Sequence, residues 1–359
     1  MRRRHFESLR PVCPVCRSLA GGSFPLELAC VVREENGHIL EGALQCSNGS
    51  CLREYPIIDG VPLLVSNLRD YVSQNILSLF GRGDLSPFIE SILGDCCGPN
   101  SAFDLSRQHL SSYASNHYAD FALPRPAGDA GEGSLLHLLR EALELSGPAP
   151  KGPVLDLGCS VGRSTFELAG QENRLVLGVD LHFPMLRLAS QVLRTGTVSY
   201  PRRRGGVVYD RQEFPVRFPQ AGDVDFWVCD AAALPFAPGI FSRVAALNLL
   251  DCVADPHALL ESISLVLKQG GKLILTCPYD WSPGATPMEA WLGGHSQRSA
   301  IQGSPETVLR ALLQPSDHPA AVKGLKLAAD RARLPWHVRL HDRSTMRYEV
   351  HLVAAEKTE

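Results

Sequence analysis

A chain of 359 residues, 45% of them hydrophobic, is long enough to bury a full core and to carry one large domain beside a small one. Its formal net charge of −3 leaves no electrostatic footprint for nucleic acid at the level of the whole chain. No apolar run approaches the roughly 18 to 20 residues that a membrane-spanning helix needs, so no membrane partner is expected. The basic start Met1-Arg2-Arg3-Arg4-His5 has no apolar segment behind it and argues against a secretory signal, which makes the expected location cytoplasmic. The eleven cysteines agree with this, because Cys229, Cys252 and Cys277 lie in apolar stretches where a free thiol behaves as a small hydrophobe.

Four cysteines stand apart. Cys13-Pro14-Val15-Cys16 is a tight pair and Cys46-Ser47-Asn48-Gly49-Ser50-Cys51 a looser one, both in turn-rich sequence. Two such pairs make a tetrahedral thiolate site for structural zinc at Cys13, Cys16, Cys46 and Cys51. Zinc would support a segment of about 65 residues that is too small to be secure on apolar burial alone. The second pair has four intervening residues instead of the commoner two, and the alternative is a metal-free ribbon with reduced thiols. The following Glu54-Tyr55-Pro56-Ile57-Ile58-Asp59-Gly60-Val61-Pro62-Leu63-Leu64-Val65 resembles the closing segment of the small zinc-ribbon proteins that bind and activate tRNA, rRNA and protein methyltransferases. Residues 1–66 are therefore expected to form a zinc-ribbon-like domain.

Residues 67–130 read as a linker and a helical segment on the substrate side. Leu68, Tyr71, Val72 and Ile76 have helical spacing within Asn67–Phe80, and Pro124–Gly133 is a Pro/Gly/Ala connection. Ser111-Ser112-Tyr113-Ala114-Ser115-Asn116-His117-Tyr118 is aromatic and polar. Tyr113 and His117, four apart, share one helix face, either folded over a substrate or turned to solvent.

Residues 131–359 alternate strands and helices as a doubly wound α/β sheet does. Helices are expected over Ser134–Leu145, Arg163–Ala169, Pro184–Arg194 and Pro256–Lys268, the last stopped by Gly270-Gly271, with Lys272–Cys277 as the fifth strand. Arg347–Val353 alternates strictly, as an antiparallel strand with one wetter side does. The first strand, opening at Val154, runs into Asp156 and then Gly158-Cys159-Ser160-Val161-Gly162, where two glycines allow a tight turn and a close approach to a ligand. The third glycine of a dinucleotide site is missing, and no lysine follows to hold a triphosphate. S-adenosylmethionine is the cofactor that remains. Asp156 and the loop suit its charged end, Asp180 with Leu181 its ribose hydroxyls, and Asp230-Ala231 its adenine, while Asn248 closes the site from the fourth strand. The architecture is thus a seven-stranded, Rossmann-like class I methyltransferase domain.

Three further segments carry a closer resemblance. Gly158-Cys159-Ser160-Val161-Gly162-Arg163-Ser164-Thr165-Phe166-Glu167-Leu168, Ala246-Leu247-Asn248-Leu249-Leu250-Asp251, and Cys277-Pro278-Tyr279-Asp280-Trp281 followed by Thr286-Pro287-Met288-Glu289-Ala290-Trp291-Leu292-Gly293-Gly294 resemble the C-terminal methyltransferase domain of ovothiol-biosynthesis enzymes. The likeness runs from Tyr113 to Leu334-Pro335-Trp336-His337-Val338-Arg339. It implies N-methylation of an imidazole ring nitrogen in a 4-mercaptohistidine-like small molecule. The chain departs from that family in its N-terminal ribbon, in Cys277 and Asp280 where serine and threonine are usual, and in the insert Pro201-Arg202-Arg203-Arg204-Gly205.

Methyl transfer is an in-line displacement, so the protein has chiefly to position a lone pair and exclude water. A His or Asp beside an imidazole acceptor would hold its proton. Asn248, Asp251, Tyr279 and Trp281 follow the fourth and fifth strands and are the expected catalytic residues. Tyr113, His117, Tyr118, Trp291 and Arg339 are expected to bind the substrate, the aromatics by stacking and the arginine by pairing with a carboxylate. Each also has a plainer reading, Trp281 as core and Asp251 as the cap of the helix near Pro256. An RNA or protein methyltransferase that docks its substrate on the ribbon is the alternative, hinted at only by Arg202-Arg203-Arg204.

Overall fold

The computed structural model of the protein describes residues 1–20, 22–121, 134–314 and 319–358. The connection expected over Pro124–Gly133 and the boundary drawn at 130/131 lie outside the described residues.

Two short helices, α1 (Arg3–Leu9) and α2 (Pro14–Ala20), precede an antiparallel set of four strands, β1 (Leu26–Glu35), β2 (His38–Cys46), β3 (Glu54–Ile58) and β4 (Val61–Leu64). Local chemistry sets its turns. Asn36-Gly37 and Asp59-Gly60 have positive φ at both central positions, the hairpin geometry that suits the twist of the strands they join. Helices α3 (Leu68–Phe80), α4 (Pro87–Cys97) and α5 (Ala102–Tyr118) follow, the last two capped by the hydroxyls of Ser86 and Ser101.

The remainder runs α6 (Ser134–Ser146), β5 (Val154–Leu157), α7 (Arg163–Glu172), β6 (Val176–Asp180), α8 (Phe183–Thr195), a hairpin of β7 (Thr197–Gly205) and β8 (Val208–Pro215), β9 (Val224–Cys229), β10 (Phe241–Leu247), α9 (Pro256–Val266), β11 (Leu267–Cys277), α10 (Pro305–Leu312), β12 (Leu325–His341) and β13 (Ser344–Lys357). Seven strands lie in the order β9-β6-β5-β10-β11-β13-β12, with β13 antiparallel between β11 and β12 and the first five parallel. Strands β5, β9 and β10 are buried along their whole length, because helices cover both faces of a parallel sheet. The expected Rossmann-like arrangement is present.

The four N-terminal strands do not stand off from this sheet. β4 pairs in parallel with β9, Leu63 opposite Val228 and Leu64 opposite Cys229, and the sheet continues to eleven strands. Buried Asp225 fastens the same junction, its Oδ2 accepting from Arg2 N and Trp227 Nε1, both at 2.8 Å. Asp59 adds a tie to α8 through Arg187 at 2.9 Å.

Several local expectations are corrected. Helix α9 ends at Val266, and Gly270-Gly271 lies inside β11, because Leu267 already pairs with Phe241 and the register shift beyond it absorbs Gly270 at φ +72°. The cap of α9 is Asp255, which accepts from Ala258 N at 2.9 Å, and not Asp251. Cys229 and Cys277 are buried as expected, but Cys252 is exposed. Among the described residues no helix is long and apolar enough to cross a membrane.

Candidate active site

The carboxyl ends of β6, β5 and β10 meet where the sheet changes winding direction, and a crevice forms there by topology alone. Beyond β5 the chain turns through Gly158 (φ +69°), Ser160 (φ +52°) and Gly162 (φ +88°). A Cβ on Gly162 would meet the Phe226 ring at 2.6 Å, and one on Gly158 would meet Leu249 at 2.9 Å, so the loop must be bare to lie this close to its neighbours. Cys159 is buried beneath it.

The acids around this loop have different surroundings. Asp180 Oδ2 accepts from Ser160 N at 2.9 Å and its Oδ1 from His182 N at 2.8 Å, while burial raises its carboxyl above the usual range. Each oxygen keeps a lone pair. Asp156 is buried and its Oδ2 accepts from Ser164 Oγ and Thr165 Oγ1, both at 2.7 Å, which ties β5 to the first turn of α7; burial lifts its pKa to about 6. Asp230 accepts from Ala232 N at 2.9 Å, holding the turn at buried Ala231. Asn248, at φ +53°, accepts from Thr276 Oγ1 at 2.7 Å through Oδ1, and its buried Nδ2 has no hydrogen-bond partner among the described residues. Leu181 is 47% exposed, with its carbonyl held by the Tyr71 hydroxyl at 2.7 Å.

Helix α5 brings Tyr113 to this crevice, sets His117 one turn on beside it and places Tyr118 beneath the loop. The Tyr118 hydroxyl donates to Val161 O at 2.6 Å, so it supports the turn from below. His117 is buried with Nδ1 unpartnered; burial, with Arg163 behind it, lowers its pKa to about 3. Tyr113 stands edge-on to His117, ring centroids 6.3 Å apart. Its hydroxyl is raised by burial and further by Cys252, Asp180, Tyr348 and Asp251, the groups that share its surroundings. Arg339 is turned aside to Asp342 at 3.1 Å.

On the opposite wall, buried Asp251 accepts from Asp280 N at 2.7 Å and from Cys252 Sγ, which folds the segment after β11 onto the segment after β10; burial raises its carboxyl. Tyr279 is not directed at the crevice by its hydroxyl, which meets His351 Nδ1 at 2.7 Å, with His351 Nε2 2.8 Å from Asp330 and Asp330 held by Arg310. Trp281 and Trp291 stack at 6.1 Å and 15°, and Trp291 Nε1 donates to Thr286 O. Trp281 is half-buried with its Nε1 unpartnered.

Tyr348 and Trp336 join this wall without a local sequence signal. They stack at 5.0 Å across β12 and β13, and the Tyr348 hydroxyl is pushed up to about 12 by partial burial and Asp280. Their pairing follows from a register between two long strands, which no local motif encodes.

The four N-terminal thiols converge. The sulfurs of Cys13, Cys16, Cys46 and Cys51 lie within 4.8 Å of one another, with Cys13–Cys51 at 3.9 Å and Cys16–Cys46 at 3.7 Å. A zinc–sulfur bond of about 2.3 Å sets tetrahedral edges of about 3.8 Å, so the cluster has the dimensions of such a site. Asn48 donates to Cys46 Sγ at 3.4 Å from its backbone and to Cys16 Sγ at 3.5 Å from its side chain.

Residues 155–275 match the family described as "Methyltransferase domain". Among relatives, the O-methyltransferase cnsE of Penicillium expansum is 28% identical over 138 residues, covering 38% of this chain and 42% of that protein. The ubiquinone/menaquinone biosynthesis C-methyltransferase UbiE of Shewanella sp. (strain ANA-3) is 31% identical over 139 residues, 38% of this chain and 46% of that protein. The chain thus spans less than half the length of either relative. A solved complex of the Haloferax volcanii Trm112 methyltransferase activator with a methyltransferase is 18% identical with a TM-score of 0.38, covering 68% of this chain and 97% of that one. With a matching family model over β5 to β11 and methyltransferases as its relatives, the chain carries an S-adenosylmethionine-dependent methyltransferase domain.

Proposed function

We propose that the protein transfers a methyl group from S-adenosylmethionine to a ring nitrogen of an imidazole or thiol-imidazole small molecule, of the 4-mercaptohistidine kind. The observation that carries this reading is the meeting of Asp180, Asn248, Tyr113 and Asp251 around one crevice. S-adenosylmethionine, when bound, supplies an electrophilic methyl group. Asp180 would hold the ribose hydroxyls with its remaining lone pairs, Asp230 and Ala231 would face the adenine, and the bare loop at Gly158 admits a close approach. The unpartnered Nδ2 of Asn248 is a donor of the kind such a ligand satisfies.

On the acceptor side, Tyr113 and the Trp336–Tyr348 pair offer flat faces, and Asp251 would take the proton from the second ring nitrogen as the first attacks. The surroundings are acidic, with Asp180, Asp251 and Asp280, which favours a nitrogen base over an anion. Arg202 and Arg204 are paired with Asp210 at 2.7 and 3.0 Å, so the arginine run is not a free basic face for RNA. Zinc held by Cys13, Cys16, Cys46 and Cys51 belongs to the same proposal, as the stabiliser of a ribbon over residues 1–66. The unpaired cysteines suit a cytoplasmic setting. The test is methyl incorporation from labelled S-adenosylmethionine into 4-mercaptohistidine, histidine and total RNA side by side. Label in the mercaptohistidine arm is expected; label in RNA alone would replace the acceptor class.

A further inference from the structure

A second cavity, of about 420 Å³, lies between α3, α4, α5, α8 and the β7–β8 hairpin. None of the residues placed in the crevice lines it. Leu77, Phe103, Leu110 and Leu188 give it apolar walls, yet four arginines, Arg82, Arg107, Arg187 and Arg211, face it against the single carboxylate of Glu90. Three of those cations are neutralised where they stand. Arg82 pairs with Asp84 at 2.8 Å, Arg187 with Asp59 at 2.9 Å and Arg211 with Glu90 at 2.5 Å.

Arg107 is the exception. It is 6% exposed, its Nη1 has only the Glu90 carbonyl at 3.4 Å, and among the described residues its Nε and Nη2 have no hydrogen-bond partner. No carboxylate pairs with it within 4.0 Å among the described residues. Its guanidinium sits 4.1 Å from the Tyr209 ring centre and 4.5 Å from that of Phe103, and packs on Gly94, where a Cβ would collide with it. The side chain is therefore held in place by its surroundings. Aromatic faces attract a cation but leave its N–H groups unsatisfied, and a buried unpaired charge is costly in a way that an anion would relieve. A guanidinium cannot shed its proton to escape that cost.

We propose that this cavity binds an organic anion with an apolar body, whose carboxylate or phosphate pairs with Arg107 while its chain lies between Leu110 and Leu188. The planar fork of arginine suits either head group, and the volume lies in the range of small-molecule sites. The site is independent of methyl transfer.

Calorimetric titration of the full chain with decanoate, decyl phosphate, decanol and inorganic phosphate tests this. At least one of the two amphipathic anions should bind saturably and at least tenfold more tightly than decanol, with inorganic phosphate weaker than either. The stronger of the two anions identifies the head group. Arg107→Met should lose the preference over decanol with S-adenosylhomocysteine affinity unchanged. Ala102→Trp, at the exposed rim of the cavity, should block anion binding with Arg107 in place, and it serves if Arg107→Met does not fold. Absence of saturable binding of both anions, decanol binding equally well, anion binding retained in Ala102→Trp, or displacement of the anion by S-adenosylhomocysteine would overturn the proposal.

Discussion

The carboxylate of Asp180 accepts the backbone N–H of Ser160 at 2.9 Å, so the acid that ends β6 also holds the glycine loop that follows β5. In the proposed reading the same side chain also offers its remaining lone pairs to the cofactor ribose. Asp180→Ala is expected to weaken S-adenosylhomocysteine binding by about 1.5 to 3 kcal/mol, the scale of a hydrogen bond to a charged group. Calorimetric titration checks it, and unchanged affinity would remove Asp180 from the cofactor site.

Trp281 stacks on Trp291 past the end of β11 and is only half-buried. If the pair frames the acceptor, Trp281→Ala should reduce turnover by roughly a hundredfold while sparing cofactor affinity, because an ångström of misplacement is costly in a positioned reaction. Turnover on a mercapto-imidazole amino acid, measured beside S-adenosylhomocysteine affinity, separates the cases. Equal turnover, or a joint collapse of affinity and folding, would make Trp281 a core residue.

Zinc should be present at one per chain and should leave with strong chelation. Cys46→Ser is expected to lose the metal and to lower the melting temperature well beyond the 2–4 °C that about 1 kcal/mol brings in a domain of 150 to 250 residues. Elemental analysis and a melting curve on the same sample decide it. A chelator-washed protein with no zinc and an unchanged melt would reject the site.

Acid should destabilise the fold between about pH 6.5 and 4. His38, His117 and His182 have pKa values lowered by burial to about 4, 3 and 4, so in this window the unfolded chain takes up protons that the folded chain refuses. Their contribution is complete above the ordinary histidine value and is lost as pH falls. Asp156 acts in the opposite sense: its pKa is raised to about 6, so its contribution is complete below about pH 4 and lost as pH rises through 6. Asp180 and Asp251, also raised by burial, act with Asp156, while His5 and His109, also lowered by burial, act with the three histidines, so five imidazoles stand against three carboxyls. Thermal melts across the window should fall with acid, less steeply in His117→Phe and more steeply in Asp156→Asn. Parallel slopes in all three proteins would clear both residues of the effect.

What this sequence determined by itself is local. The strand that opens at Val154, the turn at Gly158 to Gly162, the acid at Asp180 and the two cysteine pairs are each set by a few adjacent residues, through apolar run, glycine conformation or ligand spacing. The end of α9 is not legible locally, because the pairing of Leu267 with Phe241 is a tertiary contact that outweighs helix continuation. Only tertiary structure decided that Asp156 serves Ser164 and Thr165, that the Tyr279 hydroxyl turns to His351, and that Tyr348 meets Trp336. Each of these depends on strand register or helix docking between residues far apart in the chain. The junction of β4 with β9 and the unpaired Arg107 belong to the same class. Backbone pairing of a strand edge and the neutralisation of a buried charge depend on which groups the fold brings near, and no run of neighbouring residues contains that information.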